Sequence, residues 1–156
     1  MQPSLLNTLN KIEFKEIKHW SPEYRTAIYL RYKILREPQK LHFTRQQFEK
    51  ENEQIHVVGM INGKVIAYLC LIPFHNNRYR MRQVAVKKKM QGKGIGRELV
   101  KFCESMMLKR NAAEIFMHSR EYAIGFYKKL DYEVYGELFY EIGLPHYKMR
   151  KYFVID

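Results

Sequence analysis

The stretch RQVAVKKKMQGKGIGR, residues 82–97, is the most informative part of this 156-residue chain. It begins with the alternation typical of a strand, and a glycine-rich turn then leads directly into a helical pattern. Glycines let the backbone adopt positive φ and approach a ligand closely. The first N–H groups of a helix lack partners within it, and the helix dipole adds partial positive charge there. With Lys93, Arg97 and the lysine run 87–89 to reinforce it, the stretch predicts a cradle for phosphate groups.

Two common nucleotide-binding patterns do not fit this turn. The phosphate loop of the large nucleotide hydrolases needs Gly-Lys-Ser/Thr after Gly and four residues, but Arg97 stands five positions after Gly92. The dinucleotide pattern Gly-x-Gly-x-x-Gly fails as well, whether it is started at Gly92 or at Gly94. The turn also lies near mid-chain, after antiparallel strands rather than in a first strand–helix unit.

Hydrophobic periodicity and turn signals on both sides of the stretch predict the order β-α-(α)-β-β-β-α-β-α-β-β. Ser21-Pro22-Glu23 marks a helix start, and Pro38 limits that helix to about residue 36. Asn62-Gly63 predicts a hairpin turn, and a second turn is expected at Gly143-Leu144-Pro145. Strands are expected at 12–17, 55–61, 64–73, 79–86, 113–118, 132–142 and 146–154, and the later helices at 45–51, from 92 onward, and at 121–129.

This order predicts an α/β (α+β) fold with a mixed, mostly antiparallel central sheet and helices on both faces. The length suits one domain over residues 1–156, with its core at about 13–154. There is no apolar run of roughly 18 residues and no secretory signal pattern, so we expect a cytoplasmic protein that does not enter a membrane.

The net charge, the cysteines and the histidines indicate which kinds of ligand this protein is expected to bind. The 28 basic against 16 acidic residues give a net charge of +12, which attracts phosphates of nucleic acids or of nucleotide-bearing cofactors. The lysine run 87–89 is either a solvated basic face or part of a binding site. Cys70 and Cys103 fit small buried hydrophobes, and His42, His56 and His75 lack metal-ligand spacing, so no metal is expected.

Residues 91–96 fit the pattern Gln/Arg-x-x-Gly-x-Gly/Ala, and with the preceding QVAV they resemble the acetyl-CoA-binding motif of the GNAT superfamily of N-acetyltransferases. The segment REYAIGFYKKLDY, residues 120–132, resembles the second signature of that family, Asn-x-x-Ala-x-x-Phe-Tyr-x-x-x-Gly-Phe. Arg120 replaces the asparagine, and Asp131-Tyr132 replaces Gly-Phe. Residues 31–38 and 139–146 resemble a bacterial subgroup of the family. The resemblance runs from about Glu13 onward.

The resemblance implies transfer of an acetyl group from acetyl-CoA to an amine by direct attack. The residues that it implies for binding the acetyl-CoA co-substrate are Val84, Ala85, Val86, Gln91, Gly92, Lys93, Gly94, Ile95, Gly96, Arg97, Arg120 and Tyr127.

Three steps of this reaction need groups from the chain. A main-chain N–H on residues 83–86 is expected to bind the oxyanion. Tyr127 is implied as the proton donor to the leaving thiolate, although an aromatic residue on such a helix also suits a core position. A base must receive the proton of the amine, and the candidates are Glu141, His146 and His118. Gln83, on the strand where some relatives place a carboxylate, cannot ionise.

A second interpretation remains open: a catalytically weak or inactive module on the same fold that binds acetyl-CoA or nucleic acid. Nucleic acid is disfavoured because no recognised binding motif is present. The acceptor is expected to be a small-molecule or peptide amine. Edge strands near the C-terminus suggest a homodimer.

Overall fold

The computed structural model describes residues 11–154, and its elements follow the predicted order. The strands and α-helices of this part of the chain are β1 Glu13–Ile17, α1 Pro22–Arg31, α2 Arg45–Glu49, β2 Ile55–Ile61, β3 Lys64–Phe74, β4 Arg78–Val86, α3 Ile95–Leu108, β5 Glu114–Arg120, α4 Ile124–Lys128, β6 Glu133–Glu141 and β7 Leu144–Tyr152. The strands form one seven-stranded sheet in the order β1-β2-β3-β4-β5-β7-β6. Strand β4 pairs with β5 in parallel, while β1–β2, β2–β3, β5–β7 and β6–β7 are antiparallel. The predicted fold class is therefore confirmed.

The chain divides into two compact units. The first unit contains Met1–Leu71, described from residue 11, and Gln83–Cys103. The second unit contains Ile72–Arg82 and Glu104–Asp156, described to residue 154. Since residues 1–10 and 155–156 lie outside the described part, a single domain over 1–156 stays a prediction.

Helix α1 begins as its sequence predicts and covers one face of the sheet in the first unit. The Ser21 hydroxyl accepts a hydrogen bond from the Tyr24 main chain at 3.2 Å, which caps the helix. After Arg31 the helix widens into a π-helical turn, Tyr32–Arg36, which ends at the predicted residue, and a 3-10 turn, Glu37–Gln39, follows it with Pro38 inside. Its buried stripe packs on side chains of β2 and β3 in one cluster: Tyr24, Ala27, Leu30 and Leu35 with Val58, Met60, Tyr68 and Cys70.

The opposite face of the sheet in this unit packs against α3. Phe14 of β1 lies opposite Gly59 of β2, and its ring stacks on Phe102 of α3 with centroids 5.8 Å apart. A side chain at Gly59 would place its Cβ 3.0 Å from the Phe14 ring, so glycine favours this close contact and a larger residue would displace the ring slightly. Helices therefore lie on both faces of the sheet, as predicted.

The last hairpin differs from the expected turn at residues 143–145. Ile142 and Gly143 form a two-residue turn with φ of 49° and 73°, and Leu144 already pairs with Glu141. Positive φ at both central residues matches the twist of the flanking strands, which favours this shorter turn. The segment 121–129 also differs, since a 3-10 turn, Glu121–Ala123, precedes the short helix α4.

Candidate active site

The glycine-rich turn of the first unit is held against the end of β4. The Lys87 main-chain N–H donates to the Ile66 carbonyl at 2.8 Å, and Lys88–Met90 form a 3-10 turn. The Gln91 side-chain amide donates to the Val86 carbonyl at 2.9 Å. In this structure the amide of Gln91 therefore fixes the turn locally, a role that no motif in the sequence indicates.

Gly92 and Gly94 form an open cradle in front of α3. Their φ values are +78° and +81°, and an added Cβ at either position would meet nothing within 4 Å. The helix begins directly after them, and its first bond runs from the Glu98 N–H to the Gly94 carbonyl. The main-chain N–H groups of the first helical turn therefore have no carbonyl partner within the helix. The 14-residue length of α3 provides a substantial dipole behind them.

Other predicted cradle residues contribute in different ways. Ile95 is 1% exposed, so its side chain anchors the helix in the core and only its main chain can contact a ligand. Gly96 and Lys93 are half-buried, and Arg97 is exposed. The cradle thus combines a main-chain surface with two nearby cationic side chains, which suits a pyrophosphate group.

Strand β4 is distorted where the sequence predicts contact with the cofactor. Gln83 has φ of +59°, an uncommon value for a residue other than glycine, and its side-chain Oε1 is buried without a hydrogen-bond partner. Ala85 is buried in the α1 cluster, while Val84 and Val86 are half-buried. Strained backbone and an unsatisfied buried acceptor are features of binding sites. No periodicity or motif in the sequence marks this distortion.

In the second unit, four side chains from β4, β5, β6 and β7 form a polar group, here called the His118–Glu141 cluster: Arg80, His118, Glu141 and His146. Arg80 Nη2 lies 2.8 Å from His118 Nδ1 and 3.2 Å from Glu141 Oε1. His118 Nδ1 lies 3.3 Å from Glu141 Oε2. The three predicted base candidates are therefore brought together.

The contacts of Arg80 settle the protonation of this cluster. A guanidinium only donates, so His118 Nδ1 accepts and its proton is carried on Nε2. Burial, and then the Arg80 charge, lower the pKa of His118. Burial would raise the pKa of Glu141, but the Arg80 charge outweighs it, and the pKa lies below its ordinary value. Near neutral pH the cluster holds a neutral imidazole and an ionised carboxylate, both able to accept protons.

His146 is the most buried of the three candidates, at 4% exposed. Its Nδ1 donates to the Leu144 carbonyl at 2.8 Å, which leaves Nε2 directed at Glu141 Oε2, 3.9 Å away. The Glu141 side chain is 36% exposed, compared with 21% for His118. Glu141 is therefore the base candidate that an acceptor reaches most easily.

Arg80 was not among the predicted site residues. Arg78, Arg80 and Arg82 alternate with other residues along β4, and this pattern could have marked a cationic stripe on one side of the strand. The pairing of β5 with β7 decides which carboxylate and which imidazole contact these arginines. No local sequence pattern predicts that pairing.

Tyr127 lies on α4 in the second unit and is 7% exposed. Its ring is 5.0 Å from Phe126 and 5.8 Å from Tyr132, and burial raises the pKa of its phenol. The hydroxyl therefore keeps its proton throughout the physiological pH range. Arg120, the last residue of β5, is half-buried and lies opposite His146 in the β5–β7 register.

Two further observations concern residues 11–154. Within this range, no group of three or more His, Cys, Asp or Glu side chains is arranged to hold a metal ion. None of the helices found there is long and apolar enough to cross a membrane.

This architecture matches that of a known protein family. A family model described as an acetyltransferase (GNAT) domain matches residues 32–153. The chain belongs to the GNAT acetyltransferase family. The N-acetyltransferase YjcF of Bacillus subtilis is 26% identical to this chain over 137 residues, or 83% of this chain and 92% of YjcF. YyaT of the same species is 29% identical over 72 residues, 46% of this chain, and the match spans about half of its length (49%).

Solved structures show the same GNAT fold. The crystal structure of a candidate N-acetyltransferase from Lactobacillus plantarum has a TM-score of 0.78 at 23% identity, with 93% of this chain and 100% of that chain covered. An aminoglycoside 6'-N-acetyltransferase complexed with coenzyme A has a TM-score of 0.76 at 16% identity, with 90% and 96% covered. At these identities the likeness concerns the fold alone.

Proposed function

We propose that this protein is an N-acetyltransferase that moves an acetyl group from acetyl-CoA to an amine. The observation that carries the proposal is the open cradle at Gly92 and Gly94, which lies between the distorted strand β4 and the start of α3. Membership of the GNAT family and the coenzyme A complex of a protein with the same fold support the choice of co-substrate.

The cradle fits the phosphates of acetyl-CoA. Main-chain N–H groups at residues 95–97 and the charges of Lys93 and Arg97 would bind the pyrophosphate. The main chain of Val84 and Val86 would pair with the pantetheine arm, as an added strand does at a sheet edge. Ala85 contributes through its main chain only, because its side chain is buried in the core. A role of Arg120 in holding the cofactor stays a prediction.

Acetyl-CoA supplies a thioester whose carbonyl carbon is attacked by the amine nitrogen, and the carbon–sulfur bond then breaks. The unpartnered Gln83 Oε1 is placed to accept a hydrogen bond from a group bound beside β4. Glu141, ionised and kept so by Arg80, would receive the proton that the amine loses. Tyr127, protonated because it is buried, would give its proton to the departing sulfur. Arg80, which donates to Glu141 Oε1 at 3.2 Å, would position the Glu141 carboxylate, and His146 and His118 stay the alternative candidates for the base.

The acceptor would be a small-molecule or peptide amine, and the Glu141 carboxylate would attract its cationic form before deprotonation. A cytoplasmic location and a homodimer stay predictions.

Calorimetric titration with acetyl-CoA tests the cradle, with ATP and desulfo-CoA as comparison ligands. We expect selective binding by the wild type and at least about tenfold weaker binding by Gly94→Leu, since the new side chain fills the cradle and strains a positive φ. The matched control is Gly136→Leu, where φ is +78° and the surrounding space is equally open. Equal loss in both variants, or unchanged affinity in Gly94→Leu, would contradict the cradle.

A further inference from the structure

The first unit contains a groove that the proposed reaction does not use, here called the lysine groove. It has a volume of about 760 Å³ and lies between one side of α1, the β2–β3 hairpin and the 3-10 turn Lys88–Met90. This volume lies within the range of roughly 300–1,000 Å³ that small-molecule pockets occupy.

The floor of the lysine groove is apolar and continuous with the core. Leu30 of α1 and Met60 of β2 are each 8% exposed, and both line the groove. Ile34 and Val65 pack on the same core cluster and complete the floor. Tyr29, 67% exposed, forms an aromatic wall. An apolar surface of this kind favours a ligand with an apolar body, because burial of both surfaces releases water.

The rim of the groove is strongly cationic. Lys64, Lys87, Lys88 and Lys89 line it, and all four are exposed. Within residues 11–154, none of these four side chains takes part in an ion pair.

The remaining charged residues of the groove have partners of their own. Lys33 is paired with Glu37 at 2.9 Å, and Glu23 is paired with Lys15 at 3.6 Å. Four unneutralised lysines around an apolar floor repel one another, and an anion placed among them would relieve that repulsion. The charge of the groove therefore selects an anionic ligand.

We propose that the lysine groove is a second binding site, for a small amphipathic anion. The apolar body, an aromatic ring system or a short acyl chain, would lie on Leu30, Met60 and Val65. Its carboxylate, sulfonate or phosphate head would lie among Lys64, Lys87 and Lys88. The lysine run 87–89 is then part of a site rather than a solvated face.

The groove is distinct from the phosphate cradle. Its lining comes from α1, the β2–β3 hairpin and Lys87–Lys89, whereas the cradle consists of residues 92–97. Arg97 and the helix start, which would bind the acetyl-CoA phosphates, are not among the residues that line it. The inference therefore stands independently of the proposed function.

Fluorescence titration with 8-anilinonaphthalene-1-sulfonate tests the proposal, and the uncharged parent N-phenyl-1-naphthylamine is the comparison ligand. The two probes share one apolar body and differ in the anionic head. We expect saturable binding of the sulfonate, at least about tenfold tighter than binding of the parent compound, because only the sulfonate is drawn to the lysines. No saturable binding, or equal affinity for both probes, would overturn the proposal.

Charge-reversal variants locate the site. Lys64→Glu/Lys88→Glu should weaken sulfonate binding about tenfold or more, while Lys50→Glu/Lys109→Glu, with the same charge change at exposed positions outside the groove, should leave it unchanged. Thr26→Trp, which fills the groove from α1, should weaken binding of both probes. Equal effects of the two double variants would overturn the proposal.

An excess of acetyl-CoA separates the groove from the cradle. We expect probe affinity to change less than about twofold in its presence. Full competitive displacement of the sulfonate would overturn the proposal, because the groove would then be part of the acetyl-CoA site.

Discussion

The two units each contain an arginine, a glutamate and a histidine in contact, yet the two groups differ in exposure. In the first unit, Arg31 binds Glu51 through two hydrogen bonds, Nη1 to Oε1 at 2.9 Å and Nη2 to Oε2 at 2.6 Å. Their side chains are 1% and 7% exposed. In the second unit, Arg80 reaches Glu141 through one contact of 3.2 Å, and the side chains are 17% and 36% exposed.

The surroundings of the buried pair leave its charged oxygens little capacity for chemistry. The Tyr24 hydroxyl donates to Glu51 Oε1 at 2.6 Å, and the Arg31 guanidinium lies 4.7 Å from the centre of the Tyr68 ring. His56 donates from Nε2 to the Glu51 main-chain carbonyl and accepts from the Tyr68 hydroxyl at Nδ1. Both ring nitrogens of the neutral imidazole therefore have hydrogen-bond partners. We interpret this group as a structural bond between α1 and the segment before β2.

The His118–Glu141 cluster, in contrast, keeps a carboxylate that solvent and an acceptor can reach. In the proposed reaction the same three residue types would serve two purposes, and the two groups differ in exposure and in the number of donors around the carboxylate. A buried ion pair is costly to break, whereas an exposed one contributes little to stability. The comparison therefore predicts opposite responses to matched substitutions.

The largest effect is expected for Glu51→Gln, which leaves the Arg31 charge buried without an ionic partner. The free energy of unfolding should fall by about 3–5 kcal/mol. Urea denaturation at pH 7 measures it, and the matched control is Glu141→Gln, for which we expect less than about 1 kcal/mol. Similar losses in the two variants would remove the distinction between the clusters.

Glu141→Gln should act on turnover instead. A lost general base typically reduces kcat by about 10²–10⁴-fold, and we expect a value near the lower end because His118 lies 3.3 Å away. Steady-state kinetics with acetyl-CoA and an active amine measures the change, while calorimetry should give an unaltered acetyl-CoA affinity. Unchanged kcat would exclude Glu141 as the base.

Tyr127→Phe should reduce kcat by about tenfold or more, because solvent supplies a proton to the thiolate less efficiently than a fixed phenol. The control Tyr132→Phe removes the neighbouring hydroxyl, which donates to Glu104 at 2.8 Å and should affect stability rather than rate. If Tyr127→Phe keeps full turnover, the buried ring is a core residue and the proton comes from elsewhere.

The smallest effect concerns pH. Burial lowers the pKa of His56, so folding favours its neutral form. Its contribution to stability is present above the unfolded pKa of about 6.5 and is lost as pH falls below that value. Burial is also the largest cause that lowers the pKa of His118, so His118 loses its contribution to stability over the same pH range. The urea midpoint should therefore fall between pH 7 and pH 5, less steeply in His56→Gln than in the exposed-site control His75→Gln. Identical slopes would contradict the burial of a neutral His56.

Much of the fold follows from local rules that the sequence states directly. Asn62-Gly63 predicted a hairpin turn, and the two residues adopt φ of 51° and 77° there. Ser21-Pro22 predicted the start of α1, and Gly92 and Gly94 adopt the positive φ that the predicted turn needs. Each of these features is decided within a few residues, where intrinsic backbone preferences are sufficient.

The remaining features depend on contacts between distant segments. Arg31 is an arginine on a helix, and nothing local shows that Glu51, twenty residues later, buries it. His118, Glu141 and His146 were separate candidates in the sequence, and Arg80 was absent from them. The pairing of β5 with β7 and of β7 with β6 brings the candidates together. The positive φ of Gln83 likewise reflects the tertiary surroundings of β4, since glutamine has no preference for it.

The most direct test of the proposed activity is the transfer reaction itself. The protein is incubated with acetyl-CoA and a panel of small-molecule and peptide amines, and both free thiol and acetylated product are measured, with Glu141→Gln as the matched control. We expect equal amounts of thiol and acetylated amine for at least one acceptor, and a strong reduction in the variant. Tight binding of acetyl-CoA without transfer to any amine would contradict the proposed activity and would favour a binding module on the same fold.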